Sequence, residues 1–312
     1  MKRIVIALGG NALLRKGQKG TYQEQLENAK RTAKFLADVI EKGYEVVITH
    51  GNGPQVGAIM LQNEIAKEIV PPFPLDVANA ETQALIGYMI QQSLKNELNA
   101  RGIDKEIVTL ITQVVVDEDD PAFNNPTKFI GPYYTEEEAK KLMQEKGWII
   151  KPDPRGGWRR VVPSPDPKDI VEKNIIRDLV NQGFIVITAG GGGIPVVKTD
   201  HGYEGIEAVI DKDLASALVG KIVRADTLLI LTDVEYVLLN YKKPNQKPIK
   251  QMSASEAEKY YREGHFPPGS MGPKVLACIR FVRWGGKKGI IGHLERATEA
   301  LEGKTGTVIL PD

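Results

Sequence analysis

The sequence lacks the features that mark several large classes of protein. It has one cysteine, Cys278, among 312 residues, which excludes an internal disulfide and a cysteine-based metal cluster. Lys and Arg number 41 and Asp and Glu 40, so the net charge of +1 provides no bulk attraction to nucleic acid or to a membrane surface. No run approaches the roughly 20 apolar residues of a membrane helix, and the first apolar run, ending at Gly9, is too short for a secretory signal. These absences predict a cytoplasmic globular protein in which any anion site is local.

Three apolar, β-branched runs do stand out, because each ends abruptly in glycines. The runs are residues 4–8, 46–50 and 184–189, and the glycine clusters follow at 9–10, 51–53 and 190–193. Each run is typical of a buried parallel strand, and ligands bind at the carboxyl edge of such sheets. Glycine lets backbone N–H groups approach a ligand, and a following helix directs its positive end there. The pattern predicts a crevice for an anion, most of all phosphate.

Helical and extended patterns alternate along most of the chain. Apolar spacing predicts a helix that closes at Gly43, a long helix over about 76–101, a strand at 107–111 and a helix over about 169–182. This rhythm predicts an α/β fold, a three-layer αβα sandwich around a mostly parallel sheet. The apolar stretch 85–90 suits either the core or a subunit interface.

The alternation breaks between about residues 117 and 167, where proline and glycine are frequent. A helix over about 135–146 and short strands at 148–151 and 158–162 are predicted there, since an unbroken loop of that length would be unusual. We expect a small subdomain that protrudes from the sheet edge. A solvent-exposed excursion is the alternative, but the aromatic residues and a basic set favour a lid. The basic set is Lys128, Arg155, Arg159 and Arg160.

Two short motifs resemble nucleotide-binding signatures but fail on spacing. The glycines of segment 51–57 miss the dinucleotide pattern GxGxxG by one residue, and no acidic residue follows where a ribose partner is expected. Segment 303–305 lacks the leading glycine of a Walker A loop, because position 298 is a threonine. A Rossmann dehydrogenase and a P-loop NTPase are therefore not supported, and protein-kinase signatures are absent too.

Six segments in a fixed order carry a resemblance to a known family. They are LGGNA (8–12), HGNGPQVG (50–57), NNPTK (124–128), AGGGGIP (189–195), VIDKDLA (209–215) and GSMGPK (269–274). Together they resemble the amino-acid-kinase family over essentially the whole chain, and within it they are similar to the carbamate kinases. The order of the segments, with a lysine in the insertion, makes the signal specific.

The resemblance implies an activity, partners and a domain organisation. It implies reversible phosphoryl transfer between ATP and carbamate, giving ADP and carbamoyl phosphate, with Mg²⁺ bridging the nucleotide phosphates. It also implies a homodimer and a place in arginine metabolism. The single domain of residues 1–312 would have an N-terminal lobe on the carbamate side, about 1–205, with a protruding lid at about 118–167. The C-terminal lobe, about 206–312, would bind the nucleotide.

The residue types also suit this chemistry by themselves. Phosphoryl transfer requires aligned reactants and neutralised charge on the moving group. Backbone N–H groups of the first two glycine turns can hold phosphoryl and acceptor oxygens, and the asparagine amides suit a small planar acceptor. The predicted carbamate and phosphoryl site is Gly9, Gly10, Asn11, Gly51, Asn52 and Gly53.

The resemblance assigns roles to charged residues of the second half. Lys274 matches the lysine that contacts nucleotide phosphates, beside a loop formed by Ser270, Met271 and Gly272. Asp213 matches the aspartate that orients the catalytic lysines by charge-assisted hydrogen bonds.

Two further lysines are assigned to the transferring phosphoryl group. Lys212 matches the lysine that carbamate kinases place there. Many family members carry a lysine two residues before the double glycine, whereas this chain has Ala7. In carbamate kinases a lysine of the insertion takes over that role, and Lys128 matches it.

The residues alone leave structural alternatives open. Lys128 also suits a solvated loop, Lys212 a surface ion pair between two aspartates, and Lys274 a helix start. Asp233 either faces the nucleotide or caps the next segment.

The remaining alternatives concern one turn, one histidine and the function. Residues 190–193 either contact the ligand or form a tight structural turn. His50 is expected to hydrogen-bond its turn, because a carboxylate acceptor needs no base. The rival functions are a kinase of the same family acting on a larger carboxylate, and a non-catalytic nucleotide-binding sensor.

Overall fold

Seventeen strands and nine helices are formed by the part of the chain that the structure describes. The computed structural model describes residues 2–15, 17–153 and 156–312, with only the backbone of Asn11, so Arg155 lies outside the described residues. The strands are β1 Arg3–Leu8, β2 Glu45–His50, β3 Ile107–Thr109, β4 Gln113–Val115, β5 Lys128–Tyr134, β6 Ile150–Pro152, β7 Trp158–Val162, β8 Asp169–Ile170, β9 Ile185–Ile187, β10 Ile194–Thr199, β11 Gly202–Gly205, β12 Thr227–Thr232, β13 Val237–Leu239, β14 Lys247–Ile249, β15 Gln251–Ser253, β16 Lys288–His293 and β17 Thr307–Leu310. The helices are α1 Tyr22–Glu41, α2 Gly53–Ala66, α3 Leu75–Ala100, α4 Glu136–Lys146, α5 Lys173–Asn181, α6 Lys212–Ile222, α7 Ala254–Arg262, α8 Met271–Arg283 and α9 Ala297–Leu301.

Eight strands form the central sheet, in the order β15-β17-β16-β12-β1-β2-β9-β3. Every neighbouring pair is parallel except β16 with β17. β1 and β12 meet near the middle, so the strands from the two parts of the chain lie on opposite sides of that junction. The three glycine clusters follow β1, β2 and β9, which are adjacent and parallel, so all three lie at one sheet edge.

Helices cover both faces of this sheet. In β1, Ile4, Ile6 and Leu8 pack into a cluster with α1, α3 and α9, while Val5 and Ala7 pack into a second cluster with α6 and α8. Because both faces are buried, such a strand has a continuous apolar sequence rather than an alternating one. The predicted three-layer αβα sandwich with a mostly parallel sheet is confirmed.

Residues 128–162 form a separate three-stranded antiparallel sheet, β5-β7-β6, with α4 beside it. A capping box of Thr135 and Glu138 starts α4, and Gly147 ends it in the left-handed conformation. We did not predict β5, in which Gly131 has a φ of +74° and Pro132 follows. A Cβ on Gly57 of α2 would lie 2.0 Å from the Gly131 Cα, so two glycines let this inserted sheet meet the body of the protein.

Two predicted elements differ from the structure for one shared reason. The helix expected from residue 169 begins at 173, and the strand expected over 107–111 ends at 109. Instead, β8 and β4 pair in a second sheet, β11-β10-β4-β8. The Glu172 carboxylate accepts hydrogen bonds from Gln113 N at 2.7 Å and Gln113 Nε2 at 2.8 Å. This contact between distant residues holds both segments in the second sheet.

The apolar stretch 85–90 is divided between the core and the surface, and its use as an interface stays a prediction. Ile86 and Met89 are fully buried, whereas Leu85 and Tyr88 are exposed on the outer side of α3. Cys278 is buried, as expected, and burial raises the pKa of its thiol. Among the described residues, no helix combines the length and apolar character needed to cross a membrane.

Candidate active site

Three helices begin at the carboxyl edge of the central sheet. α2 follows β2 directly, while α6 and α8 lead into β12 and β16, so the N-termini of all three lie at this edge. A Cβ on Gly51 would lie 3.4 Å from Lys212 Cδ, which places the start of α6 against the second glycine turn. Lys274, in the first turn of α8, contacts Asp213 of α6. Because helix N-termini carry partial positive charge, this edge favours an anion.

Three lysines and two aspartates form one connected cluster at the start of α6. Lys128 Nζ donates to Asp211 Oδ2 at 2.8 Å, and Lys274 Nζ donates to Asp213 Oδ2 at 2.9 Å. Lys212 Nζ donates to Asp213 Oδ1. Asp211 Oδ1 also accepts from Asp213 N at 2.9 Å and thereby caps the helix. The structure thus brings the lysine of the inserted sheet next to the lysines of α6 and α8.

Burial distinguishes this cluster from ordinary surface ion pairs. The side chains of Lys212 and Asp213 are 9% and 3% exposed, so the alternative of a surface ion pair for Lys212 is wrong. Lys274 is 15% exposed and ion-paired, so it does more than favour a helix start. Lys128 is 26% exposed and held by a carboxylate, which contradicts a freely solvated loop lysine.

The pairing fixes the charge states of the aspartates. Burial opposes ionisation of Asp213, but Lys212 and Lys274 outweigh it and hold the pKa of this carboxyl well below its usual range. Burial likewise opposes ionisation of Asp211, and Lys128 still lowers its pKa. Both aspartates are therefore ionised at neutral pH.

The lysines respond to burial in different ways. Burial lowers the pKa of Lys212, although Asp213 opposes the shift. Burial also acts against the charge of Lys274, but Asp213 and Asp211 together raise its pKa. Lys274 is thus the more firmly charged lysine of the two that share Asp213.

The first two glycine turns offer fewer backbone donors than predicted. Gly9 N donates to the end of β12 at 3.0 Å and Gly51 N to the end of β1 at 3.2 Å, because the strand ladders continue into the turns. Glycine is needed at position 9 for a steric reason, because a Cβ there would lie only 2.7 Å from a carbonyl oxygen of β12. Gly10 begins a 3₁₀ turn and Gly53 begins α2, so their N–H groups have no acceptor within the helix and face the edge of the sheet.

The side-chain nitrogen of Asn52 is hydrogen-bonded within the protein. Its Nδ2 donates to Asn79 Oδ1 at 2.8 Å and to Thr82 Oγ1 at 2.9 Å. Asn79 Nδ2 in turn donates to Ala208 O at 2.9 Å, which ties α3 to the segment before α6. In this structure the Asn52 nitrogen positions the start of α2 and is not free to bind an acceptor. The Asn11 side chain lies outside what the structure describes.

The third glycine turn is structural, so the expectation of a third anion-binding turn is wrong. Residues 190–193 are buried, and a Cβ on Gly190 would lie 2.4 Å from His50 Nε2. A Cβ on Gly191 would lie 2.2 Å from Asn52 Nδ2, and Gln83 Nε2 donates to Gly190 O at 3.1 Å. These buried glycines allow the third turn to pack directly against His50 and Asn52 of the second turn.

His50 forms the hydrogen bond that was predicted for it. Its Nδ1 lies 3.0 Å from Gly51 O, and burial lowers the pKa of the imidazole to about 4. The ring is therefore neutral at physiological pH and fixes the second turn, which confirms the structural interpretation.

The residues predicted to bind the nucleotide lie at the start of α8. Ser270 precedes the helix and is exposed, and Met271 is its first residue. Gly272 N donates to Pro267 O at 2.9 Å, which folds the preceding loop under the helix. Lys274 lies in the first turn above this loop, within reach of Asp213.

Asp233 lies at the end of β12 between two regions. Its charge contributes to the raised pKa of Lys274, which places it near the lysine cluster. Its side chain accepts from Thr232 Oγ1 at 3.1 Å and also lines a separate cavity of about 450 Å³ beside α1. The assignment of Asp233 to the nucleotide stays a prediction.

Sequence reasoning missed two positioning groups. Asp211 was considered only as a neighbour of Lys212, although an aspartate just before a helix is a common N-cap and could have been recognised. Ser216 Oγ donates to Lys212 O and lies 2.6 Å from Thr49 Oγ1 of β2. That buried hydroxyl pair fixes α6 on the sheet and has no signal in the sequence.

Comparisons with known proteins point to one family. The chain matches the model of the amino acid kinase family over residues 2–293. It is 58% identical over 313 residues to a carbamate kinase of Thermococcus kodakarensis, covering 99% of each chain. It is 58% identical over 312 residues to a carbamate kinase of Pyrococcus horikoshii, again covering 99% of each. The solved structure of a Giardia lamblia carbamate kinase bound to AMP-PNP superposes with a TM-score of 0.91 at 46% identity, over 100% of this chain and 99% of that one.

Proposed function

The chain belongs to the amino acid kinase family, and we infer that it is a carbamate kinase, which transfers a phosphoryl group reversibly between ATP and carbamate. In the direction that consumes ATP, the products are ADP and carbamoyl phosphate. One observation supports this function most directly. Lys128, from the inserted sheet, lies in the same cluster as Lys212, Lys274 and two aspartates.

The proposed mechanism relies on alignment and charge. A carbamate oxygen forms a bond to the γ-phosphorus while the bond to the leaving ADP oxygen breaks, and no base is needed because the acceptor is already an anion. Lys128 and Lys212 neutralise the charge on the transferring group, and Lys274 holds the nucleotide phosphates. Asp213 binds Lys212 and Lys274 through its two oxygens and orients both, which is the preorganisation that such transition states require.

Carbamate is expected at the start of α2, on the N-terminal lobe of residues 1–205. The N–H groups of Gly10 and Gly53 are the turn donors that the strand ladders leave available. A Cβ on Gly53 would lie 3.4 Å from Phe129 O of β5, so the inserted sheet approaches this helix end closely. The close approach favours a small acceptor over the larger carboxylates of the rival kinases.

The nucleotide is expected on the C-terminal lobe, residues 206–312, around Ser270, Met271, Gly272 and Asp233. Mg²⁺ would accompany the nucleotide, because this cation takes oxygen ligands and keeps several waters. Asp211 and Asp213 are already bound by lysines, so we assign neither of them to the metal. When bound, the cation would neutralise phosphate charge, as the lysines do.

The proposed oligomer is a homodimer that uses α3 and the edge of the central sheet. β3 is the last strand of the sheet, and its outer edge pairs with no other described strand. Leu85, Tyr88 and Ile111 are 38%, 53% and 49% exposed near this edge. Exposed apolar side chains beside an unpaired strand are typical of an interface. A role in arginine metabolism stays a prediction.

One assay tests the function. Purified protein, Mg-ADP and carbamoyl phosphate are mixed, and the formation of ATP is followed; we expect ATP to accumulate. A folded protein that forms no ATP would contradict the proposal. ADP binding without turnover would instead support the sensor, and phosphorylation of N-acetylglutamate or aspartate in preference to carbamate would support a rival kinase.

A further inference from the structure

The carboxylate of Asp211 connects two parts of the protein that are far apart in sequence. One oxygen, Oδ2, accepts from Lys128 Nζ at 2.8 Å, and the other, Oδ1, accepts from Asp213 N at 2.9 Å. The first bond reaches the inserted sheet, and the second caps the helix that carries Lys212. The side chain of Asp211 is 13% exposed, so both bonds are largely shielded from water.

Lys128 is bound by a different carboxylate from the one that holds the other two lysines of the cluster. Both oxygens of Asp213 are taken by Lys212 and Lys274, so Asp211 is the cluster carboxylate that binds Lys128. Lys128 begins β5 of the inserted sheet, while Lys212 and Lys274 belong to helices packed on the central sheet. A lysine side chain has many rotamers, and an ammonium that no partner holds would lose this conformational freedom when it meets the substrate.

The backbone before Lys128 is also held by a hydrogen bond within the inserted segment. Lys151 Nζ, from β6 at the other edge of the same sheet, donates to Pro126 O at 2.7 Å, two residues before Lys128. The stem of Lys128 is therefore fixed by its own sheet, and its ammonium is fixed by Asp211. The two restraints together set the position of the Lys128 ammonium relative to Lys212.

On the basis of the proposed function, we propose that Asp211 is a positioning residue that sets Lys128 in place for phosphoryl transfer. Asp211 acts through Lys128 and touches no reacting atom. Its charge holds the ammonium, and its N-cap bond keeps the carboxylate itself in a fixed place on α6. Catalysis by such a lysine is sensitive to position, since a displacement of about 1 Å can reduce a rate about 100-fold.

The test is a double-mutant cycle with Asp211→Asn and Lys128→Ala. Asparagine keeps an N-cap acceptor of the same shape and removes the charge. We expect Asp211→Asn to lower kcat about 10- to 100-fold while leaving KM for ADP unchanged. In the Lys128→Ala background, we expect Asp211→Asn to cause no further loss of kcat, because the residue it positions is gone.

A matched control is available in Asp120. Its Oδ1 accepts from Ala122 N at 2.9 Å and its Oδ2 from Asp166 N at 2.9 Å, so it is a second aspartate that uses both oxygens and contacts no lysine of the cluster. We expect Asp120→Asn to leave kcat and KM unchanged. If Asp211→Asn does not fold, as judged by thermal unfolding, Asp211→Ser replaces it in the cycle, since serine is also a good N-cap.

The outcomes separate this inference from the proposed function. An unchanged kcat in Asp211→Asn, or equal losses of kcat with and without Lys128, would overturn the inference while wild-type activity stands. Failure of both Asp211 variants to fold would also overturn it, because the role of Asp211 would then be structural. Absence of ATP formation by the wild-type protein would instead overturn the proposed function.

Discussion

At the scale of the residue, three lysines of the cluster bind two carboxylates. Substituting each lysine should therefore have a different effect on catalysis and on nucleotide binding. Lys212 and Lys274 share Asp213, and Lys128 is held by Asp211. Removing any one lysine leaves an aspartate oxygen in a buried place without its cation. The functional effects should nevertheless separate, because Lys128 comes from the inserted sheet and Lys274 from α8.

The first prediction contrasts Lys128→Ala with Lys274→Ala. Loss of Lys128 should reduce kcat by about 100-fold or more, the effect of removing one charge-stabilising group, and should leave ADP affinity nearly unchanged. Loss of Lys274 should weaken ADP binding. Steady-state kinetics and calorimetric titration with Mg-ADP measure both, and Lys140→Ala, an exposed lysine of α4, is the control. A large loss of ADP affinity in Lys128→Ala would count against its placement at the phosphoryl group.

The second prediction concerns pH and follows from His50. Its pKa is about 4 in the folded protein against 6.5 for an ordinary histidine, so the unfolded chain binds more protons between these pH values. The stability that neutral His50 contributes is fully present above about pH 6.5 and is lost on acidification towards pH 4. Between pH 7 and 5 the free energy of unfolding should fall by about 2 kcal/mol from this source.

Denaturant unfolding at the two pH values measures the loss for the wild-type protein and for His50→Gln, which cannot titrate. The difference between pH 7 and 5 should be smaller in His50→Gln, while the exposed His201→Gln should behave as the wild type. Equal pH dependence in all three proteins would contradict the burial argument.

Much of the site could be predicted at this scale, because sequence order already places Lys212 and Asp213 together and Lys274 at a helix start. What could not be predicted is which polar groups the fold itself uses. The N–H groups of Gly9 and Gly51 form hydrogen bonds with neighbouring strands, because the strand pairing continues into the turns. The side-chain nitrogen of Asn52 donates to two residues of α3. Such contacts depend on pairs distant in sequence, which no local pattern records.

At the scale of the element, the contact between α2 and β5 decides where Lys128 lies. α2 starts at the site, and four residues later Gly57 meets Gly131 with the two backbones in contact. β5 carries Lys128 at its first position. A change in the spacing of these two elements therefore moves a lysine of the cluster without touching it.

The third prediction is that Gly57→Ala impairs both stability and catalysis. The new Cβ would lie 2.0 Å from Gly131 Cα, so β5 must shift away, at a cost of about 1–3 kcal/mol for an overpacked contact. We expect a lower unfolding midpoint and a kcat reduced about 10-fold or more, with KM for ADP unchanged. Gly292→Ala is the control, because its Cβ would make ordinary contacts at 3.5 Å. A wild-type kcat in Gly57→Ala would show that β5 and Lys128 are not coupled to α2.

Element prediction succeeded where burial and local signals agreed. β1, β2 and the long helix α3 follow from continuous apolar runs and apolar spacing. The prediction failed at β4, which has three residues, and at β8, which has two. These two strands pair with each other because Glu172 binds Gln113. Short strands of a second sheet carry too little sequence pattern to be found without their partners.

At the scale of the whole molecule, the sheet order explains how one chain forms a site with two sides. The strands on either side of the β1–β12 junction come from different parts of the chain, and the cluster lies at their shared carboxyl edge. The sheet also ends in β3, which lies far along the sheet from β12 and is open on its outer side among the described residues. The open edge and the site are thus at different places, so association need not obstruct the substrates.

The fourth prediction is that the protein is a dimer in solution through the face of α3 and β3. Light scattering after size exclusion should give twice the 34.4 kDa chain mass. Tyr88→Glu places a charge on the exposed centre of this face, and a buried unpaired charge is costly, so the variant should elute as a monomer. Tyr203→Glu changes a tyrosine of similar exposure, 48% against 53%, on β11, and should stay dimeric. A wild-type monomer, or dissociation of both variants alike, would contradict this interface. If Tyr88→Glu is a monomer that still forms ATP, each chain holds a complete site, as expected from a cluster whose five members all belong to one chain.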